Sequence, residues 1–102
     1  MPKIAIAEQP ERKRYEIDVD GVQAGFVTYR LESGRISFLH AEVDPSVEGQ
    51  GLGSRLVKFA LDDAGARGLE VLPCCPFVKV YIERHEEYRE LVPETSRAHF
   101  GL

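Results

Sequence analysis

Glu42-Val43-Asp44-Pro45-Ser46-Val47-Glu48-Gly49-Gln50-Gly51-Leu52-Gly53-Ser54-Arg55-Leu56 is the stretch on which the fold turns. It reads as the end of a strand, a glycine-rich turn and the first turns of an amphipathic helix. Gly49, Gly51 and Gly53 lack a Cβ, so the backbone there can take positive φ and lie close to a ligand. The first N–H groups of the following helix have no intrahelical partner, and with the helix dipole they suit a phosphate or pyrophosphate. Two familiar phosphate loops do not fit. A dinucleotide fingerprint needs a third glycine where Leu56 stands, and a Walker loop needs a Gly-Lys-Ser/Thr run that is absent. The loop alone leaves a ligand cradle and a plain turn equally open.

Downstream, Leu52, Leu56, Phe59, Ala60 and Ala64 recur at helical steps, with Val57 and Leu61 widening the stripe. The helix runs from Gly51 or Leu52 to Arg67, and Gly68 stops it. Leu69-Glu70-Val71-Leu72 is a short strand ended by Pro73. Strand, loop, helix and strand in that order require a crossover, so the two strands run parallel. Pro76 suits a first helical position, which puts Cys75 at an N-cap. Phe77, Val80, Tyr81, Tyr88 and Leu91 form the expected buried stripe, with a break near Arg84-His85. Residues 93–102 show no periodicity and read as a mobile C-terminal tail to a single domain of residues 1–92.

Upstream, Asp20-Gly21 and Ser33-Gly34 are tight-turn signals. They separate strands Arg14–Val19, Val22–Leu31 and Arg35–Val43. Ile4 to Ala7 alternates and reads as a frayed or edge-like start. On the third strand simple alternation puts Ile36, Phe38, His40 and Glu42 on one face and Ser37, Leu39, Ala41 and Val43 on the other. Apolar residues on both faces predict cover on each side. The fold class is therefore α/β (α+β). An antiparallel N-terminal meander feeds a parallel β-α-β crossover and a C-terminal helix.

With 102 residues, the chain suits one core. Its net charge of −4 argues against a nucleic-acid surface. No apolar run approaches the roughly 20 residues of a membrane span, and Met1-Pro2-Lys3 is not followed by a secretory h-region. Cys74 and Cys75 are adjacent, which suits a reduced, cytoplasmic setting, and the histidines show no metal-ligand spacing.

Three further segments extend the glycine loop into a pattern: Phe38-Leu39-His40-Ala41-Glu42-Val43, Pro73-Cys74-Cys75-Pro76-Phe77-Val78, and Tyr81-Ile82-Glu83-Arg84-His85-Glu86-Glu87-Tyr88. In this order they resemble the GCN5-related N-acetyltransferase superfamily, and more narrowly its small single-domain branch. The superfamily loop, Gln/Arg-x-x-Gly-x-Gly/Ala, falls on Glu48 to Gly53. Glu48 thus stands where glutamine or arginine is usual, and its carboxylate would repel phosphates. The backbone cradle needs only N–H groups. Arg55 and Lys58 could add positive charge, or simply be solvated.

The resemblance implies acetyl-CoA or coenzyme A as cofactor. The cofactor-binding positions are Ala41 and Val43 on the strand, with Gly49, Gln50, Gly51, Leu52, Gly53 and Ser54 in the loop and helix start. It implies acetyl transfer to a small-molecule or peptide amine. Glu42 is the candidate general base, alternatively a plain carboxylate at a sheet edge, and His40 could share its role. Cys75 could be an activated thiol or could line the pocket. Tyr81 is the candidate acid for the leaving thiolate. Two other functions stay open: a coenzyme A-binding module with little catalysis, and a Cys75-centred acyl-carrier or redox protein. The chain is expected as a monomer or weak homodimer.

Overall fold

The structure is a computed structural model that describes residues 2–47 and 49–102. What was expected of Glu48 lies outside the described residues. Five strands form one sheet in sequence order: β1 (Ile4–Gln9), β2 (Arg14–Val19), β3 (Val22–Glu32), β4 (Arg35–Val43) and β5 (Glu70–Pro73). The first four are antiparallel neighbours, and β5 pairs parallel to β4. Helix α1 (Leu52–Ala66) makes the crossover, α2 (Pro76–Arg84) follows β5, and α3 (Glu94–Arg97) lies near the end. The Asp-Gly and Ser-Gly turns sit where the sequence puts them. All four residues have positive φ, as a two-residue hairpin turn between right-twisted strands requires. Among the described residues no helix is long and apolar enough to cross a membrane.

Three features differ from the sequence reading. The N-terminal segment is a complete edge strand, because each residue from Ile4 to Gln9 finds a partner between Arg14 and Val19. The stripe of α2 is Val78, Tyr81 and Ile82, while Phe77 and Val80 are exposed, so the helix is rotated from the predicted face. Residues 93–102 include α3, and Phe100 and Leu102 pack against the core. Arg97 Nε donates to the Val92 carbonyl at 3.1 Å, and Arg89 donates to the Leu102 carbonyl. A four-residue helix is too short to leave a periodic signal.

The faces of β4 also differ, and this difference shapes the site. Pairing with β3 steps from Tyr29↔Phe38 to Thr28↔His40, so Leu39 is an extra residue. A bulge of one residue reverses the alternation beyond it. Ile36 and Phe38 face the helices, and after Leu39 so do Ala41 and Val43. His40 and Glu42 turn to the opposite face. That face is not covered as expected: Leu39 is 46% exposed.

The core lies between the sheet and the helices. Tyr15, Ile17, Val27, Ile36, Phe38 and Val71 from the strands meet Leu56, Val57, Leu61, Val78 and Ile82. Two core tyrosines keep their hydroxyls paired at the rim. Tyr15 donates to Asp63 at 2.6 Å, Tyr29 donates to Glu8, and Arg67 bridges both carboxylates at 3.2 Å. Burial, reinforced by the acidic partners, raises both tyrosine pKa values, so the hydroxyls stay neutral donors.

On the open face Glu16 is nearly buried beneath Arg14 and Arg12. Burial works to raise its pKa, but hydrogen bonds from Arg14 and then Arg12 outweigh it and hold the carboxyl below 4.5. A depressed folded-state pKa stabilises the fold above the unfolded value, and that gain is lost as pH falls through the folded value. Glu16→Gln is therefore expected to destabilise the protein at neutral pH, with the difference from wild type shrinking below pH 4.5. Urea denaturation across that window measures it, and a constant difference would count against the ion pair.

Candidate functional site

The parallel pairing of β4 with β5 ends at Phe38↔Pro73. There β5 stops, and the Cys75 N–H donates to the Phe38 carbonyl at 2.8 Å as the chain turns into α2. β4 runs on to Val43 with β3 alone, so among the described residues the β5-side edge of Leu39–Val43 has no strand partner. A strand edge of this kind offers backbone donors and acceptors to an extended amide chain.

Beyond Val43 the loop is anchored at its start. The Asp44 N–H donates to the Ala24 carbonyl at 2.7 Å, and the Asp44 carboxylate accepts the Ser46 N–H at 2.9 Å. The Ser46 backbone bond first, then its side chain, lowers the Asp44 pKa. A 3₁₀ turn, Pro45–Val47, leads to Gly49 at φ +85° and Gly51 at φ +73°. Gly51 is the N-cap of α1 and supplies no side chain, so nothing of its own caps the first N–H groups of the helix. Gly53 is needed for a different reason. A Cβ there would lie 2.6 Å from the Phe77 ring and 3.3 Å from Val43 Cγ2, where α1, α2 and β4 meet.

These elements enclose a cleft of about 780 Å³. Of the expected cofactor positions, Ala41, Val43, Gly49, Gly51, Leu52, Gly53 and Ser54 line it, and Gln50 does not. Pro45, Val47 and Phe77 also line it, though sequence reasoning did not place them there. The sequence pattern puts Phe77 in the buried stripe of α2, and only the α1–α2 approach turns its ring to the cleft. Lys58 is engaged along α1. Its ammonium donates to Asp62 at 2.9 Å and lies 3.4 Å from the Tyr88 hydroxyl, and these bonds raise its pKa. Arg55 is exposed in the first turn of the helix.

The four candidate catalytic residues are dispersed. Glu42 lines the cleft, and its carboxylate projects to the open face beside His40, Nε2 to Oε2 3.6 Å. Cys75 is the N-cap of α2, as its sequence position indicated, but it is only 3% exposed and belongs to the core. Tyr81 is also in the core. Its ring stacks on His85 at 4.0 Å, and His85 Nδ1–H donates to the Tyr81 carbonyl at 2.8 Å. Burial raises the Tyr81 pKa, partly countered by Lys58. Neither Cys75 nor Tyr81 forms part of the cleft wall.

Residues 14–91 match the family model described as GCN5-related N-acetyl-transferase. No curated protein matches the sequence. Among solved structures, the chain is similar to a GCN5-like protein of Staphylococcus aureus, with 24% identity, 90% of each chain covered and a TM-score of 0.69. It is also similar to the ribosomal-protein-S18-alanine N-acetyltransferase of Escherichia coli. That likeness has 18% identity and a TM-score of 0.58, over 70% of this chain and 64% of that one. A third is N-acetylglutamate synthase of Neisseria gonorrhoeae, complexed with coenzyme A and N-acetyl-glutamate, at 20% identity and a TM-score of 0.55. The chain spans 96% of its own length there but only 26% of that enzyme. The structural likenesses bear on the fold, and the family match covers most of the sequence: the chain belongs to the GCN5-related N-acetyltransferase family.

Proposed function

We propose that this protein is an acetyl-CoA-dependent N-acetyltransferase acting on a small-molecule or peptide amine. The observation that carries the reading is the cleft, where an unpaired strand edge meets an uncapped helix N-terminus across two positive-φ glycines. The residues present fit the cofactor. The N–H groups of Leu52, Gly53 and Ser54 would hold the pyrophosphate, and the backbone of Ala41 to Val43 would hold the pantetheine amides. When bound, acetyl-CoA supplies an acetyl group already activated as a thioester.

The chain's own residues supply positioning and proton transfer. Glu42 takes a proton from the acceptor amine, directly or through one water, and His40 at 3.6 Å steadies its charge when protonated. Tyr81 is a neutral phenol that carries the proton the leaving thiolate needs, and delivering it requires its hydroxyl to reach the cleft from the core. Cys75 we assign to the core behind the cleft wall, because a sulfur so deeply buried packs as a small apolar group. The same burial weighs against a Cys75-centred carrier or redox role. The placement of Cys75 and Tyr81 off the cleft wall favours the second reading, a coenzyme A-binding module with little catalysis. The free thiols of Cys74 and Cys75 suit a reducing compartment.

Calorimetric titration with acetyl-CoA and free coenzyme A tests the cofactor, with micromolar affinity expected. No heat with either ligand would sink both readings, and tight binding without turnover on an amine panel would select the second. Glu42→Gln is expected to lower kcat by about 10²-fold, the lower end for a lost general base. Acetyl-CoA affinity should hold, since the Glu42 carboxylate projects to the open face rather than into the cleft. An unchanged kcat would reduce Glu42 to an edge carboxylate.

A further inference from the structure

The face of the sheet away from the helices carries a second recess. Strand register sets two rows across it, Arg14–Thr28–His40 and Glu16–Phe26–Glu42. At the end of these rows a hollow of about 270 Å³ is bounded by Arg14, Gln23 and Phe26 on one side and by Glu42 and Asp44 on the other. It stands back to back with the larger cleft, since Glu42, Val43 and Pro45 line both. The β5-side edge of β4 between them is unpaired. A molecule in the hollow is therefore one strand's width from the cleft.

The charges in this hollow are arranged in opposite senses. Arg14 Nε donates to Glu16 at 2.6 Å, and the guanidinium lies over the Phe26 ring, 4.6 Å from its centroid. Glu16 is itself held by Arg12 at 3.1 Å, and its side chain is 10% exposed. Arg14 is thus fixed by an ion pair beneath and an aromatic face beside it, and its two Nη groups make no hydrogen bond to a described residue. Opposite stand two exposed carboxylates: Asp44, which accepts the Ser46 N–H through one oxygen, and Glu42, with His40 beside it. His40 in turn lies against Phe26, with ring centroids 6.2 Å apart.

A fixed cation facing accessible carboxylates across one small hollow matches a ligand bearing both opposite charges. We propose that this hollow is the acceptor site and that it selects an amino-acid-like acceptor, with its carboxylate on the Arg14 Nη groups and its amine at Glu42. This rests on the N-acetyltransferase reading. A planar guanidinium offers two parallel donors to a carboxylate, which a lysine ammonium does not reproduce. Phe26 forms an aromatic wall of the hollow, and the volume suits a small molecule rather than a folded partner.

The test is an NMR titration of the protein without cofactor, using the standard amino acids, each against its carboxamide. At least one free acid is expected to shift the ring resonances of Phe26 and His40 with about tenfold or greater preference over its amide, equivalent to about 1.4 kcal/mol. Arg14→Gln should abolish that preference, Arg14→Lys should restore part of it, and Glu42→Gln should weaken acid and amide alike. Thermal melts followed by circular dichroism establish that the variants are folded. Equal binding of acid and amide, shifts confined to other residues, no binding by any of them, or a preference that survives Arg14→Gln would each overturn the proposal. Acetyl-CoA calorimetry on wild type separates the two failures. Loss of acid selectivity with cofactor binding intact refutes only the acceptor site, and absent cofactor binding refutes the enzyme reading whatever the titration shows.

Discussion

Gly51→Asp is expected to weaken acetyl-CoA binding by at least about 100-fold, or about 2.7 kcal/mol, with the fold retained. The electrostatic cost is large enough to produce that loss: a carboxylate about 4 Å from a phosphate costs about 4 kcal/mol at a surface-like effective dielectric. The steric cost is small. Apart from its chain neighbours, no described residue has an atom within 4 Å of a Cβ built at Gly51, and aspartate tolerates left-handed φ better than most residues. Gly51→Asn isolates the charge, because it has nearly the same shape and the same φ demand. It should bind within about tenfold of wild type, a difference of about 1.4 kcal/mol at most. Calorimetry of all three proteins measures this, and added salt should narrow the gap between the charged and neutral variants. Equal affinities for the Asp and Asn proteins would move the pyrophosphate away from this loop.

Gly25→Val carries the largest expected stability effect. A Cβ at Gly25 would lie 2.7 Å from the Glu42 carbonyl oxygen and 3.3 Å from both Val43 Cα and Ile17 Cγ2. Two of those three atoms are backbone, so relief requires β4 to move away from β3. Overpacking a tight interior typically costs about 1–3 kcal/mol, and a β-branched side chain against backbone belongs at the upper end. A loss near 3 kcal/mol would lower Tm by about 12 °C or more in a domain of this size. Urea denaturation of Gly25→Val and Gly25→Ala should show the alanine variant intermediate. The same displacement shifts Glu42 and Val43, which line both recesses, so acetyl-CoA affinity should fall with stability. A change below about 0.5 kcal/mol, typical of an unconstrained surface position, would mean that β4 is not held this closely.

Much of this architecture is written in short-range signals. Asp20-Gly21 and Ser33-Gly34 mark two hairpins because few other residue pairs accept positive φ twice in succession. Gly51, the periodic apolar residues and Gly68 bound α1, and Pro76 after Cys75 starts α2. The order of these elements is enough for an antiparallel meander followed by a parallel crossover. The glycine loop was legible for the same reason: its conformation depends on residues adjacent in the chain.

Other features depended on partners that the sequence does not name. The extra residue at Leu39 is defined only against β3, where Tyr29 pairs with Phe38 and Thr28 with His40. Nothing within Arg35–Val43 announces it, yet it sends Ala41 and Val43 into the cleft and His40 and Glu42 to the other face. The full length of β1 depends on its pairing with β2, and the rotation of α2 depends on its fit against α1 and the sheet. The meeting of Gly53 with Phe77 joins residues on different helices, as the Arg14–Phe26–Glu42 hollow joins residues on three strands. Local backbone chemistry determined where each element begins and ends. Register and packing, which are long-range and exchange one neighbour for another at the cost of a single residue's shift, decided which side chains face the cleft, which lie buried, and which stand together on the open sheet.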